Sequence, residues 1–335
     1  MQLKVAWDDV SAGSNNRVLI CRVLLPAGRE LLVGEGFELR EGGLGASTQA
    51  LLDLAPGCAA IIADPTVPVG PDLLDAAGPE LRVVANFAVG YDNVDLDACR
   101  ERGVVVTNTP GVLTNATAEL ALGLTIVAAR RARDAELVLR EGRWTGWDPG
   151  AMLGMELTGR TFGIVGLGRI GRRYAELVRP LASEIVYTAR SPKPDADEEL
   201  GASYVNLSDL LQRSDVVSLH APGGDATRHL VGAAELRSMK QDSVLVNTAR
   251  GTLVDSAALA SALSDGEIGA AGLDVFEDEP GVPAELLEAP RCFLLPHIGS
   301  ATNTARDGMA ALAARNAIEV LNGEKPLNPV AANRT

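Results

Sequence analysis

Short apolar runs recur along the chain, each bounded by Gly, Pro or Asp, and between them apolar residues return at helical spacing. The run Arg17–Leu24 (RVLICRVL) reads as a buried strand, followed by a helix through PAGRELLVGEG. CAAIIAD and RVVANFA read as further strands, while VGPDLLDAAGPE and VDLDACRERG read as helices with Asp near their starts. The first seventeen residues read as a loose extension. A long Ala/Leu-rich helix is expected over Asn115–Gly142, capped by Thr114 or Asn115, with Glu119 in its early turns. The loop RWTGWDPGAMLGMELTG, with two Trp and four Gly, then breaks the pattern. A second, more regular set follows it: TFGIVGL, EIVYTA, VVSLHA, SVLVNTA, GAAGLDV and CFLLPH. The glycines of GGLGAS (Gly42–Ser47) lack such a strand-and-helix frame and read as a surface turn.

Alternating strands and helices imply mainly parallel sheets. Six strand-like runs in order are the count of a doubly wound dinucleotide-binding domain. The closing helix NTARDGMAALAARNAIEVLNG has nothing to pack on unless the chain returns to its first half. The expected fold is therefore α/β with two Rossmann-like domains and doubly wound parallel sheets. A dinucleotide domain (113–297) is inserted into a discontinuous, flavodoxin-like substrate domain (1–112 and 298–335).

Composition narrows the function classes. Aromatic residues are only 4% of 335, so the core must be built from Ala, Val, Leu and Ile, which suits buried parallel strands. The net charge of −14 is dispersed, which argues against a nucleic-acid or anionic-membrane surface. No apolar run reaches the roughly 18 to 20 residues needed to span a bilayer, and the N-terminus has no apolar signal core. Cys21, Cys58, Cys99 and Cys292 show neither metal-ligand nor redox spacing, so no metal and a reducing cytoplasm are expected.

Gly166-x-Gly168-x-x-Gly171 follows the strand-like TFGIV and opens the helical RIGRRYAELVRPL. Its first glycine permits a tight turn, its second lets a pyrophosphate approach the backbone, and its third lets helix and strand pack closely. In open α/β sheets ligands bind beyond the carboxyl ends of the strands. There VLVNTARG ends in Arg250, AAGLDVFEDEP in Asp274 and Glu279, and CFLLPHIGSAT in His297. Together they suit reduction of a 2-keto acid. The planar guanidinium of Arg holds a carboxylate, an imidazolium delivers a proton to the carbonyl oxygen, and a carboxylate favours and orients that imidazolium. Of the three His, His220 ends another strand beside the expected cofactor, and His229 lies at a helix start.

On VGLGRIG, VNTARG, GLDVFEDEP and LPHIGSAT, in that order and spacing, the chain resembles the D-2-hydroxyacid dehydrogenase family, in particular its glyoxylate/hydroxypyruvate reductase branch. The resemblance runs from Arg17 to Val330. It implies Arg250 as the substrate-binding, polarising arginine, Glu279 as the partner carboxylate and His297 as the acid/base. Small 2-keto acids (glyoxylate, hydroxypyruvate) would be reduced to D-2-hydroxy acids. In VANFAVGYDNVD it gives the backbone amides of Val89 and Gly90 to the substrate carboxylate. Around the cofactor it places Gly166, Leu167, Gly168, Arg169, Ile170 and Gly171, then Thr188, Arg190 and Ser191. It adds His220, Pro222 and Thr227, Thr248 and Ala249, Gly299, Asp274 near the nicotinamide carboxamide, and Thr117 facing the ring. Many relatives carry a P-L-T run where this chain has HAPGGDATRH. A homodimer through the nucleotide domain is implied, with Trp147, or else Trp144, walling the active site of the partner subunit.

One acid is missing. About 20 residues after the glycine loop an Asp or Glu should hold the ribose 2′-hydroxyl of NAD. The stretch IVYTARSPKP offers Thr188, Arg190, Ser191 and Lys193 instead, groups that suit a 2′-phosphate. The expected cofactor is NADPH, with NADH as the lesser one. Two alternatives stand beside this. One is another dehydrogenase on the same scaffold, although a formate enzyme would replace Glu279. The other is a nucleotide-sensing, co-repressor-like protein that keeps the same residues.

Overall fold

The structure is a computed structural model and describes residues 16–330. The extension expected over the first residues lies outside them. The chain divides into two compact units, one formed by the chain up to Leu113 and from Ala301 onward, the other by Thr114–Ser300.

The first unit has five parallel strands, β1 (Arg17–Ile20), β2 (Glu38–Glu41), β3 (Ala60–Ala63), β4 (Val83–Asn86) and β5 (Val105–Thr107), in the order β2-β1-β3-β4-β5. This is the flavodoxin-like strand order. β3 and β4 are buried throughout because helices cover both faces. β2 and β5 had no strand signal in the sequence. β2 reads Glu-Leu-Arg-Glu along an exposed edge, and β5 is three residues long. The helix Asn303–Leu321 returns to this unit and packs on the helix Pro26–Gly34. Gly28 makes that contact possible, since a Cβ there would lie 2.4 Å from the Ala310 carbonyl oxygen. Thr302 caps the start of the returning helix by accepting from the Ala305 amide at 3.1 Å, a bond worth about 1 kcal/mol. At its far end the Arg82 guanidinium donates to the carbonyls of Val320 and Leu321 at 2.7 and 2.8 Å, where the helix dipole favours a cation.

The second unit has seven parallel strands: β6 (Arg160–Val165), β7 (Ala182–Thr188), β8 (Ala202–Tyr204), β9 (Val216–Leu219), β10 (Val244–Asn247), β11 (Ala270–Leu273) and β12 (Cys292–Leu294). Their order is β12-β11-β10-β9-β6-β7-β8, the dinucleotide-binding arrangement with one strand added at an edge. The sequence had shown six; β8, with two of its three residues exposed, went unseen. The order reverses between β6 and β9, and that switch point is where such sheets open a crevice for ligand.

The single helix expected over Asn115–Gly142 is two helices, Thr114–Ala129 and Ala132–Arg140. Arg131 between them is left-handed, with φ 52°. The returning loop meets the break: the Met155 amide donates to the Ala129 carbonyl at 2.8 Å, satisfying an acceptor left open at the first helix's end. Thr114 is the first residue of the helix, so neither it nor Asn115 caps from outside. Among the described residues no helix is long and apolar enough to cross a membrane. All four cysteines are buried in apolar surroundings.

Candidate active site

In the second unit, the loops after β10, β11 and β12 carry the three residues picked out as reactive. Asn247, the last residue of β10, accepts from the Ala249 amide at 3.0 Å and donates to the Arg250 carbonyl at 2.8 Å, which turns the chain sharply and presents Arg250. The next residue, Gly251, has to be glycine. A Cβ there would lie 1.9 Å from the Phe276 carbonyl carbon, so the Arg250 loop rests directly on the backbone leading to Glu279.

His297 Nδ1 lies 2.6 Å from Glu279 Oε2, and the Phe276 amide donates to the other oxygen, Oε1, at 3.0 Å. Burial opposes ionisation of Glu279. The hydrogen bonds from His297 and Phe276 and the charges of His297 and Arg250 outweigh it, holding the carboxyl below its ordinary range. With Nδ1 taken, Nε2 is the ring nitrogen left for substrate, and the two side chains stay 39% and 33% accessible.

His297 itself is left-handed, with φ 53°. Asp274 holds it there. Fully buried at the end of β11, Asp274 accepts from the amides of Ile298 at 2.8 Å and Gly299 at 2.7 Å, while its own carbonyl accepts from the His297 amide at 2.9 Å. Burial pushes its carboxyl up to about 6, against the pull of those amides and the His297 charge. The Thr117 hydroxyl donates to the Gly299 carbonyl at 3.1 Å. Sequence reasoning had given Asp274, Thr117 and Gly299 to the cofactor; the structure also makes them one brace under the His297 turn.

The other two histidines are built differently. His220, after β9, stacks beside Tyr174 with ring centroids 5.1 Å apart, and its Nε2 lies 2.9 Å from the Ser218 hydroxyl. Burial pushes its pKa down to about 3, so it stays neutral. His229 Nε2 lies 2.8 Å from Glu277, which also accepts from Arg228 and from the Ser256 amide, each at 3.2 Å. Of the carboxylates in FEDEP, then, Glu277 ties down the neighbouring loop and Glu279 serves His297. No spacing rule in the sequence separates the two.

The loop after β6 fits a dinucleotide. Gly166 is left-handed at φ 96°, and a Cβ on Gly171 would lie 2.1 Å from the Gly166 carbonyl oxygen. A Cβ on Gly168 would point into open space, with nothing within 4 Å, which suits the close approach a pyrophosphate needs. The helix Arg169–Val178 starts there, carrying Arg169, Ile170 and Gly171, and no side chain caps it. Leu167 is buried beneath the turn. Thr248, buried beside Ala249, has a hydroxyl without a hydrogen-bond partner, a group suited to a ligand. Beyond His220, the Thr227 hydroxyl closes its loop by donating to the Pro222 carbonyl at 2.8 Å.

Residues 122–299 match the family described as D-isomer specific 2-hydroxyacid dehydrogenase, NAD binding domain. The chain belongs to that family. A glyoxylate reductase of Thermococcus litoralis is 48% identical over 266 residues, 78% of this chain and 80% of that protein. Among solved structures, a Thermus thermophilus protein superposes with a TM-score of 0.88 at 41% identity, over 94% of this chain and all of that one. An NADPH-dependent glyoxylate/hydroxypyruvate reductase from Sinorhizobium meliloti, solved with NADP and malonate, superposes with a TM-score of 0.83 at 38% identity, over 95% of this chain and 97% of that one. The protein is thus an NAD(P)-dependent oxidoreductase.

In this dehydrogenase the loop after β7 is held by two tyrosines. Tyr187 accepts from the Lys193 amide at 2.6 Å, and Tyr204 donates to the Ala189 carbonyl at 3.3 Å. Arg190, Ser191 and Lys193 are exposed on it, after Thr188. Of the acids that follow, Asp195 and Glu199 both bind Arg172, the former at 2.6 Å. Arg190 makes no ion pair among the described residues. Trp147 and Trp144 are 85% and 63% exposed.

Proposed function

We propose that this dehydrogenase reduces small 2-keto acids, glyoxylate and hydroxypyruvate first, to D-2-hydroxy acids, and prefers NADPH. The 2.6 Å contact between His297 Nδ1 and Glu279 carries the reading, because it commits Nε2 to the substrate and keeps an anion against the imidazolium. Bound reduced nicotinamide supplies the hydride. His297 gives the Nε2 proton to the carbonyl oxygen as the carbon is reduced, and Glu279 stabilises the charged ring beforehand. The Arg250 guanidinium binds the keto acid and polarises its carbonyl. The substrate carboxylate is assigned to the amides of Val89 and Gly90, and the nicotinamide carboxamide to Asp274.

The NADPH preference rests on Arg190, Ser191 and Lys193 standing where an acid would select NAD, with Arg172 pairing Asp195 and Glu199 of the segment that follows. The name of the Thermococcus relative points to glyoxylate, and that of the Sinorhizobium relative to both substrates and to NADPH. Exposed Trp144 and Trp147, with Leu139 and Leu153 on the same stretch, support a partner surface for a second copy of the chain.

Loss of NADPH absorbance with glyoxylate, hydroxypyruvate and pyruvate tests the activity, and no turnover with any of them would favour a nucleotide-sensing protein. The kcat/KM ratio for the two cofactors tests the preference, which a higher value with NADH would overturn. Arg190→Ala is expected to weaken NADPH about tenfold or more and NADH less than twofold, the loss of one charge-assisted contact.

A further inference from the structure

In the first unit, three consecutive carbonyls in the loop after β4 are each held by a donor from outside the loop. The Thr109 amide donates to Ala88 O, Asn108 Nδ2 to Val89 O and Asn86 Nδ2 to Gly90 O, all at 2.8 Å. A trans peptide plane points its C=O and its N–H in opposite directions. Anchoring the Ala88 carbonyl therefore aims the Val89 N–H, and anchoring the Val89 carbonyl aims the Gly90 N–H. Among the described residues neither N–H has an acceptor.

The anchors are themselves fixed. Asn86 is fully buried and pairs with Asn93, whose side chain donates to the carbonyls of Asp64 and Val67 at 3.0 Å each. The Asn108 main chain is gripped on both sides: its amide donates to Asn328 O at 3.3 Å, and its carbonyl accepts from buried Asn316 at 3.4 Å. The Asn328 amide closes the set by donating to Asn316 Oδ1 at 2.9 Å. Four asparagines drawn from β4, the end of β5, the C-terminal helix and the segment after it thus support one short loop. A loop needing only to be folded would not require two consecutive outward amides with every carbonyl behind them satisfied.

We propose that Asn108 is a positioning residue for substrate: by holding the Val89 carbonyl it aims the Gly90 amide, beside that of Val89, as a two-donor seat for a carboxylate. This rests on the reading that gives the substrate carboxylate to those amides. Loss of the Asn108 bond lets the peptide plane rotate and costs binding of the carboxylate, leaving hydride and proton transfer untouched.

The test compares the wild type with Asn108→Ala and Asn108→Asp, the second isosteric but unable to donate, using glyoxylate as substrate and oxamate as a non-reacting carboxylate. Both variants are expected to raise KM for glyoxylate and Ki for oxamate together by about tenfold, the worth of one hydrogen bond. kcat should stay within about twofold and KM for NADPH should not move. A lowered Tm with unchanged KM and Ki, or a parallel rise in the cofactor KM, overturns the proposal. In wild type with NADPH, oxamate is expected to slow hydrogen exchange at the Val89 and Gly90 amides, a readout independent of how the variants fold. Inhibition by oxamate without that protection overturns the seat. A wild type that neither reduces glyoxylate nor binds oxamate defeats the substrate reading itself, whereas wild-type turnover with unaffected variants defeats only the role of Asn108.

Discussion

His220 and His297 both follow strands of one parallel sheet, yet their surroundings prepare them for opposite work. His220 is half-buried beside Tyr174 and its Nε2 bonds a neutral hydroxyl, and burial drives its pKa to about 3, so it holds no charge. His297 remains accessible and has a carboxylate 2.6 Å from Nδ1. Position at a strand end does not make a histidine an acid. What separates the two rings is the Glu279 carboxylate and the open ring nitrogen of His297, with the Asp274 brace holding the backbone at residues 297–299.

The largest expected effect separates the two rings. His297→Ala should lower kcat about a thousandfold, the usual worth of a general acid, with cofactor Kd by fluorescence titration within about twofold of wild type. His220→Asn should keep kcat within about tenfold, because that ring carries no proton. Equal losses of kcat would break the comparison. A smaller effect sharpens it. Glu279→Gln replaces an anion held below the ordinary carboxylate range with a neutral amide. The ring loses its anionic neighbour, so kcat near pH 7 should fall about tenfold. A kcat within about twofold of wild type would show that the charge of Glu279 is dispensable.

The smallest effect concerns acid stability. His220 falls from 6.5 to about 3 on folding, so between those values the unfolded chain binds more protons. This contribution to stability is complete above pH 6.5 and is lost as pH falls towards 3, by at most about 1.4 kcal/mol per pH unit. Asp274 acts in the opposite sense, its carboxyl rising from 3.8 to about 6, so that folding binds its proton within that window. The measurement is therefore a difference. Urea midpoints of His220→Asn should decline less steeply below pH 6.5 than those of wild type, and parallel curves would mean that His220 is charged in the folded protein.

Much of this was legible along the chain, for a physical reason in each case. The apolar runs of β3, β4, β6, β7, β9, β10, β11 and β12 are wholly or partly buried, so the apolar pattern betrayed them. The glycine loop showed because its three positions each need a missing Cβ, two of them confirmed by contacts of 2.1 and 2.7 Å. Arg250, Glu279 and His297 stood out because they close successive strands. The edge strands β2 and β8 and the short β5 stayed hidden, since exposed or three-residue strands carry no apolar signature. The helix break at Arg131 stayed hidden too; it coincides with Met155 returning to Ala129, a contact no local propensity encodes.

The sequence alone marked what is local: which apolar segments are strands, which glycine turn suits a phosphate, which side chains could move a proton or hold an anion. Only the tertiary structure decided which partner each polar group meets. Glu277 and Glu279 are two residues apart and chemically alike, yet one ties down His229 and the other serves His297. Asn86, Asn108, Asn316 and Asn328 span most of the chain and still hold one loop. Such pairings depend on strand order and on the return of the last helix. A hydrogen bond acts over about 3 Å in space, whatever the separation of its partners in sequence.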